Sequence, residues 1–194
     1  MEIKRVIVGW LRTNCYLLSS GDELGIIDPG GDEGEILKEI SKTGIKLKYI
    51  INTHYHPDHI LANEEIKKKT GAKILIHQAE KEFINFEPDK FLKDGNEIRI
   101  GVGDSPSVLK IYHTPGHTKG SICLAGDNFI FTGDTLFKDG CGRTDLPGGS
   151  QKDIEESLEK LLKLLKPGTT CYPGHGEIFK IRTCLASLGR FLLF

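Results

Sequence analysis

Three of the 7 histidines of this chain crowd into Thr53-His54-Tyr55-His56-Pro57-Asp58-His59, directly after the apolar run Tyr49-Ile50-Ile51. Such a run reads as a buried strand, and polar groups clustered at its end sit on a loop that a rigid scaffold positions. On extended backbone, side chains two residues apart project to one side, so His54 and His56 can share one metal ion. Asp58 and His59 open the next helix, face elsewhere, and can serve a second ion. A lone histidine is usually a hydrogen-bonded core or surface residue. His-x-His-x-Asp-His as a set is a metal-site signature.

Three more segments repeat the device of a strand that ends in one ligand. Thr114-Pro115-Gly116-His117-Thr118 follows Val108-Leu109-Lys110-Ile111-Tyr112, Phe129-Ile130-Phe131-Thr132-Gly133 runs into Asp134, and Pro173-Gly174-His175-Gly176 follows the stretch 169–172. All of these ligands are expected on one rim. The remaining histidines, His77 and His113, lie inside apolar strand patterns without a partner motif and are assigned no chemistry.

The rest of the chain supplies the scaffold. Strand-like runs recur at about residues 2–10, 14–20, 24–28, 46–52, 73–77, 96–100, 107–113, 121–125 and 128–132, separated by Gly, Asp and Asn turns. Helices are predicted at about 32–43, with Gly44 as C-terminal cap, from Pro57 to near Gly71, and at about 150–165, where Ser150 caps and Asp153 completes a capping box. Strands interrupted by helices without regular alternation favour layered sheets covered by helices over a doubly wound parallel sheet. The 194 residues are expected to form one domain, with an apolar tail at about 178–194 that has to pack on something.

Composition removes several function classes. With 26 basic and 27 acidic residues, a net charge of -1 and no basic track, the chain offers nothing to neutralise a polyanion, so no nucleic-acid partner is expected. No apolar run approaches the roughly 20 residues of a membrane span, so no membrane partner is expected either. The 5 cysteines, Cys15, Cys123, Cys141, Cys171 and Cys184, contain no Cys-x-x-Cys pair and read as free thiols in the cytoplasm.

His-x-His-x-Asp-His, Thr-Pro-Gly-His, Thr-Gly-Asp-Thr and Pro-Gly-His-Gly, in this order, resemble the metallo-β-lactamase superfamily. The resemblance extends to about Glu177 and implies an αββα sandwich of two mixed β-sheets flanked by helices, with metals at one edge. It further implies one divalent ion on His54, His56 and His117, a second on Asp58, His59 and His175, and Asp134 as the bridge. Mixed imidazole and carboxylate ligation suits zinc first, with iron or manganese as alternatives. The segment from Asp134 to Gly149 is similar to short, prokaryotic-type relatives of glyoxalase II (hydroxyacylglutathione hydrolase), which hydrolyse thioesters. In that resemblance Arg143 matches a basic residue that touches the glutathione part of the substrate; the alternative is a surface arginine paired with a carboxylate. The residues after His175 are too few for the helical region that helps full-length glyoxalase II to bind glutathione.

The expected activity is hydrolysis of a small-molecule thioester by a metal-bound hydroxide, with Asp58 orienting it and receiving its proton. The nearest alternative is a persulfide dioxygenase of the same superfamily, which Cys141-Gly142-Arg143-Thr144-Asp145 also resembles, using one Fe(II) at His54, His117 and Asp134. A nuclease lacks its basic track, and a protein merely stapled by metals would show closed four-ligand sets.

Overall fold

The computed structural model describes residues 1–102 and 106–181. β1 (Glu2–Val8), β2 (Thr13–Ser20) and β3 (Glu23–Ile27) form an antiparallel meander, to which β4 (Lys46–Ile51), β5 (Lys73–His77) and β6 (Lys90–Leu92) add in parallel. The second sheet contains β7 (Glu97–Ile100), β8 (Ser107–His113), β9 (Ile122–Ala125) and β10 (Phe129–Gly133) in antiparallel order. β11 (Thr170–Pro173) lies parallel to β10, and β12 (Phe179–Lys180) closes that edge. Both sheets are therefore mixed. The runs of three and two residues that make β6 and β12 are too short to show a period in the sequence.

Burial alternates residue by residue, which is how the strands build the layers. In β2, Cys15 and Leu17 pack under α1 (Glu33–Thr43) and α3 (Asn63–Thr70) with Ile36, Ile40 and Ile66, whereas Tyr16 and Leu18 face the other sheet. Ile26, Ile50 and Ile74 take the helix side; Ile27, Ile51 and Leu75 meet Leu109, Ile111 and Phe131 between the sheets. On the far face, Cys123, Ile130 and Cys171 pack against Ile154, Leu158 and Leu161 of α4 (Gln151–Leu164). Strands covered on both faces read as continuous apolar runs for this reason, each buried Leu or Ile contributing about 1.5–3 kcal/mol. The architecture is the expected αββα sandwich of two mixed sheets.

Two local expectations change. The single helix from Pro57 splits into α2 (Pro57–Ile60) and α3, because two members of its hydrogen-bond ladder are diverted: Ala62 N–H donates to the Pro29 carbonyl at 3.0 Å, and the His59 carbonyl accepts from Asn52 Nδ2 at 2.9 Å. Ser150 caps α4 by accepting from Asp153 N–H at 3.2 Å, but its own N–H donates to the Gly116 carbonyl at 2.8 Å, so that half of the capping box instead ties α4 to the turn before His117.

Among the described residues Cys15, Cys123 and Cys171 are buried free thiols and Cys141 an exposed one; burial pushes the Cys123 thiol up to about 11. Cys184 and most of the apolar tail lie outside the described residues, although Phe179 and Ile181, where the tail begins, pack on the α4 cluster. No helix among the described residues is long and apolar enough to cross a membrane.

Candidate metal centre

His54, His56, His117, Asp134 and His175 leave strand ends or turns between strands, and Asp58 and His59 lie in the short helix α2 that follows β4. β10 and β11 are parallel, so Asp134 and His175 emerge at the same end of the second sheet. Cross-sheet hydrogen bonds fix that end against the first sheet. Asn14 N–H donates to the Gly174 carbonyl at 2.7 Å, Asn14 Nδ2 and the Tyr16 hydroxyl both donate to the Pro173 carbonyl, at 2.9 and 2.7 Å, and Ile122 N–H donates to the Thr53 carbonyl at 3.0 Å.

The seven predicted ligands come together. His54, His56 and His117 form one group, His54, His59 and Asp134 a second, and Asp58, His59 and His175 a third, each with its donor atoms within 4.8 Å of one another. Asp134 faces both halves: Oδ1 lies 3.6 Å from His59 Nε2, and Oδ2 lies 3.6 Å from His117 Nε2 and 3.5 Å from His175 Nε2. Asp58 Oδ2 lies 3.1 Å from His175 Nε2 and 3.4 Å from His59 Nε2, and accepts a hydrogen bond from Thr13 Oγ1 at 2.9 Å.

The groups behind the histidines decide which nitrogen faces the centre. Asp28 Oδ2 accepts the Thr53 hydroxyl proton at 2.7 Å, so Thr53 Oγ1, 3.0 Å from His54 Nδ1, can only accept from that ring. His117 Nδ1–H donates to the Arg143 carbonyl at 2.8 Å. His59 Nδ1 lies 3.0 Å from Asp28 Oδ2, an ion-pair contact without good hydrogen-bond alignment. In His54 and His117 Nε2 is thereby left as the inward lone pair, the arrangement that supporting hydroxyls and carbonyls impose on metal-ligating histidines, and His59 turns Nε2 toward the same centre with Asp28 behind its Nδ1.

The electrostatics divide the site. Burial and the neighbouring rings of His59 and His117 hold His54 well below the ordinary histidine range, and the same causes take His56 down to about 4. Burial lowers His117 in spite of Asp134. Burial opposes charge on His59 too, but Asp134 and Asp28 outweigh it and raise that ring well above the ordinary range. His175 is raised against burial by its hydrogen bond to Asp58, and Asp58 is lowered against burial by His175 and His59. The carboxylates thus favour positive charge at His59 and His175, the half of the site where Asp58 and Asp134 converge.

A divalent cation fits this donor set. His56 Nε2, His117 Nε2 and Asp134 Oδ1 are buried and have no hydrogen-bond partner, a cost that coordination removes. The metallo-β-lactamase superfamily model matches residues 8–175. The chain belongs to the metallo-β-lactamase superfamily. Among its relatives, the probable metallo-hydrolase YqgX of Bacillus subtilis is 33% identical over 91% of this chain and 90% of its own length. The hydroxyacylglutathione hydrolase of Pelagibacter ubique is 37% identical over 77% of this chain and 60% of its own length. Among solved structures, TTHA1623 in a di-iron-bound form superposes with a TM-score of 0.83 at 28% identity, over 97% of this chain and 98% of that one. ETHE1 from Myxococcus xanthus gives 0.83 at 26%, over 100% of this chain and 84% of that one.

Arg143 sits at the rim, where its guanidinium pairs with Asp145 through two bonds of 2.7 Å. His77 and His113 lie apart from the seven ligands and stack on each other with ring centroids 4.1 Å apart. Sequence reasoning missed Asp28, the carboxylate behind His54 and His59. Its signal was present: Ile26-Ile27-Asp28-Pro29-Gly30 ends an apolar run in a carboxylate followed by a Gly/Pro turn, much as Gly133-Asp134 does.

Proposed function

We propose that this chain is a two-metal thioesterase acting on a hydroxyacyl thioester. The carrying observation is Asp134, whose two oxygens face two ligand groups at once. In this reading His54, His56 and His117 would hold one ion, Asp58, His59 and His175 the other, and Asp134 would serve both. The similarity to the Pelagibacter hydroxyacylglutathione hydrolase supports the substrate class, and the di-iron neighbour supports the ion count. When bound, such ions bring the pKa of water down toward about 7 and stabilise negative charge on a carbonyl oxygen.

The chain's own residues supply the rest. Asp58, held by the Thr13 hydroxyl, is placed to orient the attacking water and take its proton at Oδ2, with basicity reduced by its ligand duty. A groove of about 460 Å³ beside His175, lined by Phe137, Lys138 and Cys141 among others, receives the substrate. In the loops that carry His117 and Asp134, Lys119 pairs with Glu82, Lys138 with Glu177 and Arg143 with Asp145. A carboxylate on the thiol carrier therefore has to displace a resident acid, and recognition of the carrier is weak.

A second reading, single-iron persulfide dioxygenation at His54, His117 and Asp134, draws support from the likeness to ETHE1. Metal analysis combined with parallel assays separates the two. Release of thiol from S-D-lactoylglutathione without O2 consumption is the expected result. Iron-dependent O2 uptake with glutathione persulfide, alongside negligible thioester cleavage, overturns it.

A further inference from the structure

We propose that Glu80 is a positioning residue for the turn that carries His117, and that it sets how tightly the ion of the His54, His56 and His117 group is held; this rests on the metal reading above. Glu80 ends the 3₁₀ turn Gln78–Glu80 after β5 and is fully buried. Its side chain reaches from the first sheet to the β8–β9 turn of the second. There Oε1 accepts from the Thr118 hydroxyl and, at 2.9 Å, from Gly120 N–H. With its proton committed to Glu80, Thr118 Oγ1 accepts from Ser121 Oγ at 2.8 Å, and Ser121 Oγ in turn accepts Thr118 N–H at 3.1 Å.

His117 is thereby fixed from both sides. Gly116 is fastened to α4, its carbonyl accepting Ser150 N–H at 2.8 Å, and Ser157 Oγ donates to the Pro115 carbonyl at 2.6 Å. Thr118 is fastened to Glu80. With the Arg143 carbonyl on Nδ1, the ring has little freedom left except to present Nε2. Gly120 makes the approach possible, since a Cβ there would lie 2.6 Å from Glu80 Cγ.

A carboxyl in this position does not serve stability alone. Glu80 Oε2 is buried without a partner, and burial pushes the group up to about 7. Burying a carboxyl with one oxygen unsatisfied is unfavourable, and an apolar residue would avoid that cost only by leaving the buried Thr118 hydroxyl and Gly120 N–H without an acceptor. What only an acceptor at Oε1 provides is the geometry of the turn. Among the described residues Glu80 makes no hydrogen bond or ion pair to a candidate ligand, and it acts through Thr118 and Gly120. Supporting partners of this kind are typically worth ten- to a hundredfold in metal affinity.

The test titrates metal-free protein with Co(II) alone and follows stoichiometry, affinity and the visible spectrum, with thermal melts confirming folding. Glu80→Ala should weaken one of the two ions by about ten- to a hundredfold and alter its spectrum. Glu80→Gln, whose amide oxygen accepts the same two bonds, should restore both to within about threefold of the parent. Folded Glu80→Ala protein with parental affinity and spectrum overturns the proposal, as does failure of Glu80→Gln to rescue. If Glu80→Ala does not fold, Thr118→Val, which deletes one of the two bonds, has to shift affinity in the same direction, and unchanged binding overturns the proposal. Retention of both ions by His117→Ala overturns the metal reading and this inference with it, an outcome distinct from a parental result for the Glu80 variants alone.

Discussion

His117 Nδ1 lies 2.8 Å from the carbonyl oxygen of Arg143, so the residue the sequence marks for its guanidinium meets the ligand set through its backbone. The guanidinium itself is paired with Asp145. Arg143→Ala should therefore leave metal content and kcat unchanged and raise KM at most a few-fold, because binding shared by ground and transition states does not alter the chemical barrier. Gly142→Ala should be far worse, since a Cβ there would lie 2.7 Å from His117 Nδ1 and 2.1 Å from the Asp134 carbonyl oxygen. Metal stoichiometry and steady-state kinetics of both variants check this. A collapse of kcat in Arg143→Ala with metal content intact would contradict it.

His54→Ala and His117→Ala should each lose one ion and at least a hundredfold in kcat/KM, the approximate scale of a catalytic group removed. His77→Ala, which lies outside the ligand groups, should retain both ions. Elemental analysis of the purified variants decides the matter, and an equal loss in His77→Ala would show the ligand assignment to be wrong.

Asp28 stands behind His59 directly and behind His54 through Thr53, and so behind both of the proposed ion sites. Asp28→Asn keeps the shape but places an amide where a carboxylate accepts from Thr53, so both histidines lose their orientation. Metal affinity should fall by about ten- to a hundredfold while the fold is retained. Titration of the metal-free protein with zinc, against circular dichroism as a folding control, measures it.

Glu80 gives stability a defined pH dependence. Its carboxyl titrates at about 7 in the folded chain against 4.5 as the ordinary value, so between those pH values the folded state binds more protons than the unfolded one. Stability from this group is thus fully present below about pH 4.5, declines as pH rises, and levels off above about 7. In chelator-treated protein, Glu80→Gln should gain on the parent over that window by about 3 kcal/mol. Denaturant unfolding at a series of pH values reads the difference, and a constant gap between the two proteins would refute the burial argument.

The seven candidate ligands and the layered sheets are both legible in the sequence. His54, His56, Asp58 and His59 are local in the chain, and a metal site announces itself through side-chain chemistry at strand ends. Strands such as Cys15–Leu18 are apolar at successive residues because both faces are buried, which is legible without coordinates. Only the tertiary structure decided what stands behind the ligands. Asp28, the Arg143 carbonyl and Glu80 act on residues 25 to 40 positions away, through hydrogen bonds that no local period encodes. The break after α2 has the same origin, since Pro29 and Asn52 take over hydrogen bonds that the helical pattern assigns to its own backbone. Helical propensity is a weak local preference, and a buried donor or acceptor takes whichever partner the packed neighbours offer.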